Sequence, residues 1–292
     1  MATLLRCILI EETMHKTLIE AQTIADSLSD PNWIIVDCRF DLDDTEAGWE
    51  AYEEAHIPGA VYAHLDEDLS GPPLTDKGRH PLPSPAAMTR LFGRLGIDGS
   101  KQVVVYDTAN GVFASRLWWM LRYMGHEAVA VLDGGWAAWK KAGLPVAKGN
   151  EENETAVFTG SPRSDWLVTI DQVELQPVLI DARGPERYAG EHEPIDSRPG
   201  HIPGAVNFPF ARNWGENGRY LPADQLAEQV TAVLGDTPPA EATFYCGSGV
   251  SACVNLLALA HAGLGNGRLY VGSWSEWSAD PDRPAALGDD GA

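Results

Sequence analysis

The stretch GHIPGAVNF, at residues 200–208, repeats AHIPGAVYA of residues 55–63 almost letter for letter, and this repetition decides the fold. Two more pairs of segments match in the same order: IIVDCRF (34–40) with VLIDARG (178–184), and VLDGGWAAW (131–139) with LYVGSWSEW (269–277). Each segment returns about 140 residues further along the chain. A tandem duplication produces such a nearly constant offset, so we predict two copies of one domain.

Each copy alternates short apolar strands with helices. In the first copy, WIIVD (33–37) and VVVYD (103–107) are apolar runs of strand length, and residues 114–125 have a helical pattern closed by glycine. VLID (178–181) and TFYC (243–246) are the equivalent strands of the second copy. Such alternation implies a buried parallel sheet. We therefore predict an α/β fold of two tandem domains, each a parallel sheet with helices on both faces.

A polar segment separates the two copies. AKGNEENETAV, at residues 147–157, is rich in Glu and Asn and has no hydrophobic period. We predict an N-terminal domain at residues 16–146, a linker at residues 147–165 and a C-terminal domain at residues 166–285. Both domains then have a common size for a folding unit, about 100–150 residues.

The chain opens with MATLLRCILIEET, an apolar run that Arg6 interrupts. This segment is too short to span a membrane and has no secretory cleavage signature. We interpret residues 1–13 as a frayed leader, or as sequence upstream of a start at Met14.

Composition argues against several classes of protein. Of the 292 residues, 44% are hydrophobic, which excludes general disorder. A formal net charge of −21 argues against a nucleic-acid surface, which needs clustered Lys and Arg, and against docking to anionic membranes. The four cysteines form no C-x-x-C pair and no zinc spacing, which predicts free thiols in a reducing cytoplasm. No metal or organic cofactor is implied.

The two copies differ at one loop between a strand and a helix. The first copy has VVVYDTANGVFAS, and the second has TFYCGSGVSAC at the equivalent place. When the Gly-Val pairs are aligned, the first strand ends at Asp107 and the second at Cys246. The second copy therefore offers a thiol where the first offers a carboxylate, which predicts nucleophilic chemistry in the second copy.

The Cys246 loop has the composition of an anion cradle. A loop between a parallel strand and a helix N-terminus lies where α/β sheets bind ligands, and its N–H groups can converge on an anion. Gly247 and Gly249 allow positive φ angles and close approach of the backbone. We expect this cradle to lower the pKa of the Cys246 thiol.

These motifs together resemble the tandem-domain rhodanese family of sulfurtransferases: HIPGA twice, CGSGVSA at 246–252 and GSWSEW at 272–277. The resemblance extends over roughly residues 20–285. It implies that the first domain is catalytically silent, with Asp107 in place of the cysteine. It also implies that Cys246 carries the transferred sulfane sulfur as a persulfide.

The composition of the loop also favours one donor. Within the rhodanese family, a loop of the form C-G-S-G-V-[ST]-A resembles that of the 3-mercaptopyruvate sulfurtransferases, whereas thiosulfate-preferring enzymes tend to place cationic residues after the cysteine. Gly247 and Ser248 supply no positive charge. The resemblance therefore predicts transfer from 3-mercaptopyruvate to an acceptor such as cyanide, a small thiol or thioredoxin.

The same resemblance suggests the residues that bind the donor. Arg187 and Arg198 match the two arginines that bind the donor carboxylate in the family, a task suited to guanidinium groups. The match of Arg198 requires a small insertion around EPIDS at residues 193–197. The loop residues expected to contact the substrate are Gly247, Gly249, Val250 and Ser251.

A proton relay is the remaining part of the predicted site. In mercaptopyruvate enzymes an Asp–His–Ser set is proposed to assist the reaction, and its members match Asp66, His80 and Ser248. Two of these residues belong to the first copy, so the resemblance places the active site between the domains. His64 and Asp68 are alternatives that lie close to Asp66 in the sequence.

Residues that recur in both copies are interpreted as structural. Arg183 follows Asp181, at the end of a strand, with one residue between them, and Arg39 follows Asp37 in the same way. Because Arg39 belongs to the silent copy, we predict a fold-stabilising ion pair for Arg183. The duplication of His56 as His201 likewise indicates a structural role for both.

Three alternatives to a mercaptopyruvate sulfurtransferase remain. The first is a thiosulfate sulfurtransferase, which changes only the donor. The second is a phosphatase of related fold, which needs an arginine six residues after the cysteine, where Ala252 stands here. The third is a non-enzymatic sulfur carrier or interaction module.

Overall fold

The computed structural model describes residues 14–74 and 77–288. The opening segment with Cys7 lies outside these residues, and so does our interpretation of it. Within the described ranges, no helix combines the length and the apolarity that crossing a bilayer requires.

The first copy folds around a five-stranded sheet. Its strands are β1 (Leu18–Ile19), β2 (Trp33–Asp37), β3 (Ala60–Tyr62), β4 (Gln102–Tyr106) and β5 (Val129–Leu132). They lie in the order β1-β5-β4-β2-β3, and all neighbouring strands are parallel. The carboxyl ends of β2 and β4, which carry the polar residues of interest, therefore lie side by side at one edge of the sheet.

Hydrophobic clusters cover this sheet on both faces. Ile34 and Val36 of β2 belong to one cluster, whereas Ile35 between them belongs to another, as expected for alternating side chains of a strand. The helices of this copy are α1 (Ala21–Ser27), α2 (Ala47–Glu54), α3 (Pro85–Arg94), α4 (Ala114–Tyr123) and α5 (Gly135–Lys141). Burial on both faces explains why the central strands are apolar without interruption.

The second copy repeats the arrangement. Its strands are β6 (Leu167–Val168), β7 (Val178–Asp181), β8 (Val206–Asn207), β9 (Ala242–Tyr245) and β10 (Arg268–Tyr270), in the parallel order β6-β10-β9-β7-β8. Its α-helices are α6 (Pro185–Ala189), α7 (Ala223–Leu234), α8 (Ala252–His261) and α9 (Ser273–Trp277). Short 3-10 helices lie at Ser164–Trp166, Ile170–Leu175, Phe210–Asn213 and Pro239–Glu241. The predicted α/β fold with two parallel sheets is confirmed.

The predicted duplicate ion pair is present in both copies. The Arg39 Nη2 lies 2.6 Å from the Asp37 Oδ2, and the Arg183 Nη2 lies 2.6 Å from the Asp181 Oδ2. Each guanidinium also lies 4.9 Å from the ring centroid of a tryptophan, Trp136 in the first copy and Trp274 in the second. Both pairs are buried and satisfied by further hydrogen bonds, so the structural interpretation of Arg183 is confirmed.

The repeated histidines are structural as predicted. The Nδ1 of His56 hydrogen-bonds the Tyr52 carbonyl at 2.8 Å, and the Nδ1 of His201 hydrogen-bonds the Tyr188 carbonyl at 2.8 Å. Each imidazole also stacks on the ring of the same tyrosine. Both histidines are buried within their own copy.

The two copies pack against each other through α4 and α8. Every residue of α4 is buried, including Arg116 and Arg122. Leu117 of α4 shares one hydrophobic cluster with Leu256 and Leu257 of α8. A helix that is buried all round needs cover on every side, and here its own sheet and the opposite copy provide it. This packing brings the loop that precedes α8 against the first copy.

Candidate active site

Cys246 lies in a tight loop at the N-terminus of α8. It follows β9 directly, and residues 247–251 connect it to the helix. The Gly249 N–H donates to the Cys246 Sγ at 3.1 Å, and the Ser251 hydroxyl and the N–H groups of Ser248 and Ala252 stabilise the charged form of the sulfur. The residue is only 1% exposed. A sulfur atom surrounded by such donors is suited to carrying negative charge.

The same donors explain the acidity of this thiol. Burial raises the pKa of Cys246, but the Ser251 hydroxyl and the N–H groups of Ser248, Ala252 and Gly249 lower it by more. The net pKa therefore lies below the ordinary value, as predicted. Burial instead raises the pKa of Cys253 to about 12, and Cys38 is likewise made less acidic. All three described cysteines are free thiols, and Cys246 is the most acidic of them.

The two glycines of the loop have different roles. Gly249 has a φ of +74°, and a Cβ there would lie 2.4 Å from the Val271 carbonyl oxygen, so both the conformation and the space exclude a side chain. The prediction of a positive φ is wrong for Gly247, whose φ is not positive. A Cβ at Gly247 would lie 2.9 Å from the Arg79 Nη2. Gly247 thus makes room for an arginine of the first copy.

The equivalent loop of the first copy is filled by its own side chain. Asp107 follows β4, and its carboxylate accepts four backbone hydrogen bonds of 2.8–2.9 Å, from the N–H groups of Ala109, Gly111, Phe113 and Ala114. Burial raises the pKa of Asp107, and the four donors limit that increase. The N–H cradle of the first copy therefore already holds an anion.

Three predicted residues meet beside the Cys246 loop. The Nδ1 of His80 lies 2.7 Å from the Ser248 Oγ, and its Nε2 lies 3.2 Å from the Asp66 Oδ1. The alternatives, His64 and Asp68, contact each other through the His64 N–H. Asp66, His80 and Ser248 thus form a continuous chain of contacts between the two copies.

His80 is held in its neutral form. Burial and the nearby charges of Arg116 and Arg79 together lower the pKa of His80 to about 3. A neutral imidazole carries one N–H, and the Asp66 carboxylate can only accept it at Nε2. His80 Nδ1 is then the acceptor for the Ser248 O–H. This arrangement leaves the Ser248 oxygen free to accept a proton from a bound molecule.

Two arginines from different copies face the loop at Gly247. Arg187, predicted to bind the donor, has Nη1 at 3.5 Å from the position of a Cβ on Gly247, and Arg79 reaches the same point from the first copy. The Arg79 N–H donates to the Ser275 Oγ at 3.1 Å, which holds this segment against the second copy. Arg79 was not predicted, although it directly precedes His80.

Arg198, the other predicted carboxylate-binding residue, makes different contacts. Its Nη1 donates to the Arg283 carbonyl at 2.9 Å, and its guanidinium lies 5.9 Å from the ring centroid of Trp274. In the described part of the chain, no hydrogen bond connects the Arg198 side chain to residues 246–251. The structure therefore brings Arg187, but not Arg198, to the loop.

A second arginine that the sequence interpretation missed supports the loop from within. Arg116 of α4 is fully buried and donates to three carbonyl oxygens: those of Gly249 at 2.9 Å, His80 at 3.1 Å and Leu69 at 3.4 Å. One side chain thereby connects the Cys246 loop to the histidine of the relay. No carboxylate within the described ranges forms a salt bridge with it.

A cavity opens at this junction of the two copies. It has a volume of about 480 Å³, and Arg79 and Gly78 line one side while Asp196 and Ser275 line the other. A larger cavity of about 810 Å³ lies in the first copy between Tyr62 and Asn153, and no residue of the Cys246 loop lines it. The smaller cavity is lined by Arg79, one of the two arginines beside Gly247, whereas neither Arg187 nor a residue of the Cys246 loop lines it.

The rhodanese-like domain model matches this chain twice, at residues 20–142 and at residues 168–280. The chain belongs to the rhodanese family. The first match contains Asp107 and the second contains Cys246, so the predicted pair of tandem rhodanese-like domains is confirmed.

Relatives in the rhodanese family agree on the reaction class. A probable 3-mercaptopyruvate sulfurtransferase from Pseudomonas aeruginosa is 46% identical, over 93% of this chain and 98% of its own length. A putative thiosulfate sulfurtransferase from Mycobacterium tuberculosis is 40% identical, over 87% of this chain and 90% of its own. The 3-mercaptopyruvate sulfurtransferase structure from Leishmania major has a TM-score of 0.81 at 32% identity, covering 90% of this chain and 74% of that one. The present chain is thus a sulfurtransferase with small-molecule sulfur donors and acceptors, as predicted.

Proposed function

We propose that this sulfurtransferase takes sulfur from 3-mercaptopyruvate, holds it as a persulfide on Cys246 and passes it to a thiol or to cyanide. The observation that carries the proposal is the chain of contacts from Asp66 through His80 to Ser248, two residues beyond Cys246. Release of pyruvate requires a proton to move from sulfur to carbon. Release of sulfite from thiosulfate requires no such transfer, so a proton relay favours mercaptopyruvate.

The first half-reaction follows from these positions. The Cys246 thiolate attacks the donor sulfur, an Sγ–S bond forms, and the bond between that sulfur and C3 of the donor breaks. The electron pair of the broken bond leaves with the carbon as the enolate of pyruvate. The donor thiol proton passes through the Ser248 hydroxyl to His80, and because the lowered pKa of His80 makes its imidazolium a strong acid, it is given up at once to C3. The products are a deprotonated persulfide and pyruvate, and the total charge is unchanged.

Backbone donors bind the negative charge of the persulfide, and arginines bind that of the donor carboxylate. The persulfide occupies the cradle formed by the loop from Gly247 through Gly249 and Val250 to Ser251. The donor carboxylate binds Arg187 and Arg79, whose guanidinium groups both face Gly247. We assign Arg198 an indirect part: its guanidinium lies over the Trp274 ring and its carbonyl accepts from the Trp274 indole N–H, while the backbone N–H of Trp274 donates to the Cys246 carbonyl at 3.0 Å.

The remaining assignments extend the same proposal. The domain at residues 16–146 is catalytically silent because Asp107 fills its cradle, residues 147–165 form the linker, and the domain at 166–285 carries the chemistry. The acceptor of the second half-reaction is cyanide, a small thiol or thioredoxin. Free thiols at the described cysteines favour a reducing cytoplasm as the compartment.

The proposal predicts that 3-mercaptopyruvate adds the mass of one sulfur atom to the peptide that contains Cys246, and that cyanide removes it. Mass spectrometry of the digested enzyme checks this, with fragment ions that separate Cys246 from Cys253. Measuring kcat/KM for both donors on the same preparation then decides the donor. A preference for thiosulfate would replace 3-mercaptopyruvate, and the absence of added sulfur would rule out the persulfide.

Replacing Ser248 by alanine is expected to lower turnover of 3-mercaptopyruvate about a hundredfold, because the relay loses its contact with the donor. Turnover of thiosulfate should stay within about threefold, because sulfite leaves without a proton. Ser251→Ala is the matched control in the same loop: it removes a donor to the sulfur and should slow both donors. An equal loss with both donors in Ser248→Ala would contradict the relay.

A further inference from the structure

Asp196 connects the two arginines of the proposed donor site. Its Oδ2 lies 2.8 Å from the Arg187 Nη2, and its Oδ1 contacts the Arg79 Nη1. The Asp196 side chain is only 3% exposed, although it belongs to a segment whose other residues mostly face solvent. Asp196 lies in the insertion EPIDS. It joins Arg79 of the first copy to Arg187 of the second.

The contacts of Asp196 leave one donor group of each arginine facing the Cys246 loop. The Arg187 Nε donates to the Glu193 carboxylate at 3.1 Å, and the Arg187 Nη2 donates to both Glu193 and Asp196. Three nitrogens approach a Cβ at Gly247: Arg79 Nη2, and Arg187 Nη1 and Nη2 at equal distance; of these, no described residue accepts a hydrogen bond from Arg79 Nη2 or Arg187 Nη1. An incoming anion therefore finds two oriented donors already fixed by carboxylates behind them.

The charges of this cluster cancel. It contains three arginines and three carboxylates: Arg79, Arg183, Arg187, Asp181, Glu193 and Asp196. Within this cluster, an anion at Gly247 is thus held by directed hydrogen bonds and not by an excess of positive charge. The repulsion from one carboxylate grows in proportion to the charge of the anion, so the Asp196 charge opposes binding of a dianion twice as strongly as binding of a monoanion.

We propose that Asp196 sets the donor preference of this enzyme by its charge, favouring a monoanionic α-keto acid over the thiosulfate dianion. The inference rests on the proposed sulfur transfer at Cys246 and adds a residue that selects the donor. Asp196 is a specificity-determining residue because it acts through the two arginines and through its field. It need not contact the donor.

Asp196→Asn tests the proposal, because the amide keeps an oxygen acceptor near the arginines and loses the charge. The ratio of kcat/KM for thiosulfate to that for 3-mercaptopyruvate is expected to rise about tenfold, the size of one charge acting over several ångströms at a protein surface. Glu191→Gln makes the same change of charge at an exposed position of the same segment and should leave the ratio unchanged. A ratio in Asp196→Asn equal to the wild-type ratio would overturn the proposal.

Asp196→Glu separates charge from shape. It retains the carboxylate, so its ratio should stay near the wild-type value even if both rates fall. A rise as large as that in Asp196→Asn would mean that geometry, and not charge, sets the preference, and the proposal would be wrong.

Equilibrium binding keeps this test independent of turnover. In the Cys246→Ser protein, calorimetry can measure the affinity for thiosulfate and for pyruvate with no reaction occurring. Adding Asp196→Asn should strengthen thiosulfate binding relative to pyruvate by about tenfold. If this shift is observed but the wild-type enzyme turns over neither donor, the proposed function is wrong and the role of Asp196 stands. If the wild-type enzyme turns over 3-mercaptopyruvate but the shift is absent, the proposed function stands and the role of Asp196 is wrong.

Discussion

Replacing Cys246 by serine is expected to reduce sulfur transfer from either donor by at least about ten-thousandfold. The cradle formed by the Gly249 N–H, the Ser251 hydroxyl and their neighbours favours a thiolate, which is the nucleophile. A serine hydroxyl ionises far less readily in the same position, and it cannot hold the transferred sulfur as a persulfide. Steady-state turnover of both donors with cyanide as acceptor measures the loss.

Cys38→Ala is the matched control for this substitution. Cys38 is also a fully buried free thiol, but it lies in the first copy, and burial raises its pKa well above the ordinary value. Its loss should leave both activities within about threefold, as expected for a core thiol that acts only by packing. Sulfur transfer that survives in Cys246→Ser would show that another group carries the sulfur.

The repeated segments made the architecture predictable. β2 and β7, like β4 and β9, are apolar runs that end at polar residues, and the duplication supplies each of these patterns twice. The edge strands β1 and β6 could not be predicted because two residues are too short to show a period. They are strands because β5 and β10 offer them a free edge, which is a property of the assembled sheet.

The site was predictable where its chemistry is local. The glycines and serines after Cys246 indicate an anion cradle by themselves, and the lowered pKa follows from that geometry. Gly247 could not be explained by local reasoning, because a side chain is excluded there by the nearby Arg79 and not by the φ angle of Gly247. Asp196, the partner of Arg79, and Gly249, a partner of Arg116, lie 117 and 133 residues away in the sequence, so no local pattern indicates these contacts.

Arg116 did leave a signal that could have been used. It stands in ASRLWWMLRY, a helix whose neighbouring residues are almost all apolar. A charge in a helix that is buried all round must find partners inside the protein, since an uncompensated buried charge is costly. Its three carbonyl partners are Gly249 in the Cys246 loop, and His80 and Leu69 in the first copy. The arginine therefore links the nucleophile and the relay across the domain interface.

The charge of Arg116 also bears on the acidity of the thiol. Burial lowers the pKa of Arg116, and the negative charges available on Cys253 and Cys246 oppose that decrease. The interaction is mutual, so a cation at Arg116 favours the Cys246 thiolate. Burial raises the pKa of Cys253 to about 12, whereas the pKa of Cys246 lies below its ordinary value, so Cys246 is the more acidic of the two thiols near Arg116.

Arg116→Met is expected to lower turnover of both donors about a thousandfold, since each buried carbonyl that loses its donor costs about 1–3 kcal/mol and the loop and the relay each contain one. The substitution leaves the carbonyls of Gly249 and His80 without a donor and removes a positive charge near the thiol. Alkylation of Cys246 by iodoacetamide, followed against pH, separates this role from a loss of fold. The midpoint of the alkylation profile should move to higher pH, because the thiolate loses a neighbouring cation.

Arg122→Met is the control that decides between positioning and packing. Arg122 is buried in the same helix, but it pairs with Glu127 and lies over the Trp118 ring, away from the loop. Its replacement should lower the free energy of unfolding and leave the alkylation midpoint of Cys246 unchanged. If Arg116→Met moved only the unfolding transition, as Arg122→Met should, Arg116 would be a packing residue. A shift of the midpoint in Arg116→Met alone, partly restored in Arg116→Lys, requires that the first domain act on the chemistry of the second through this side chain.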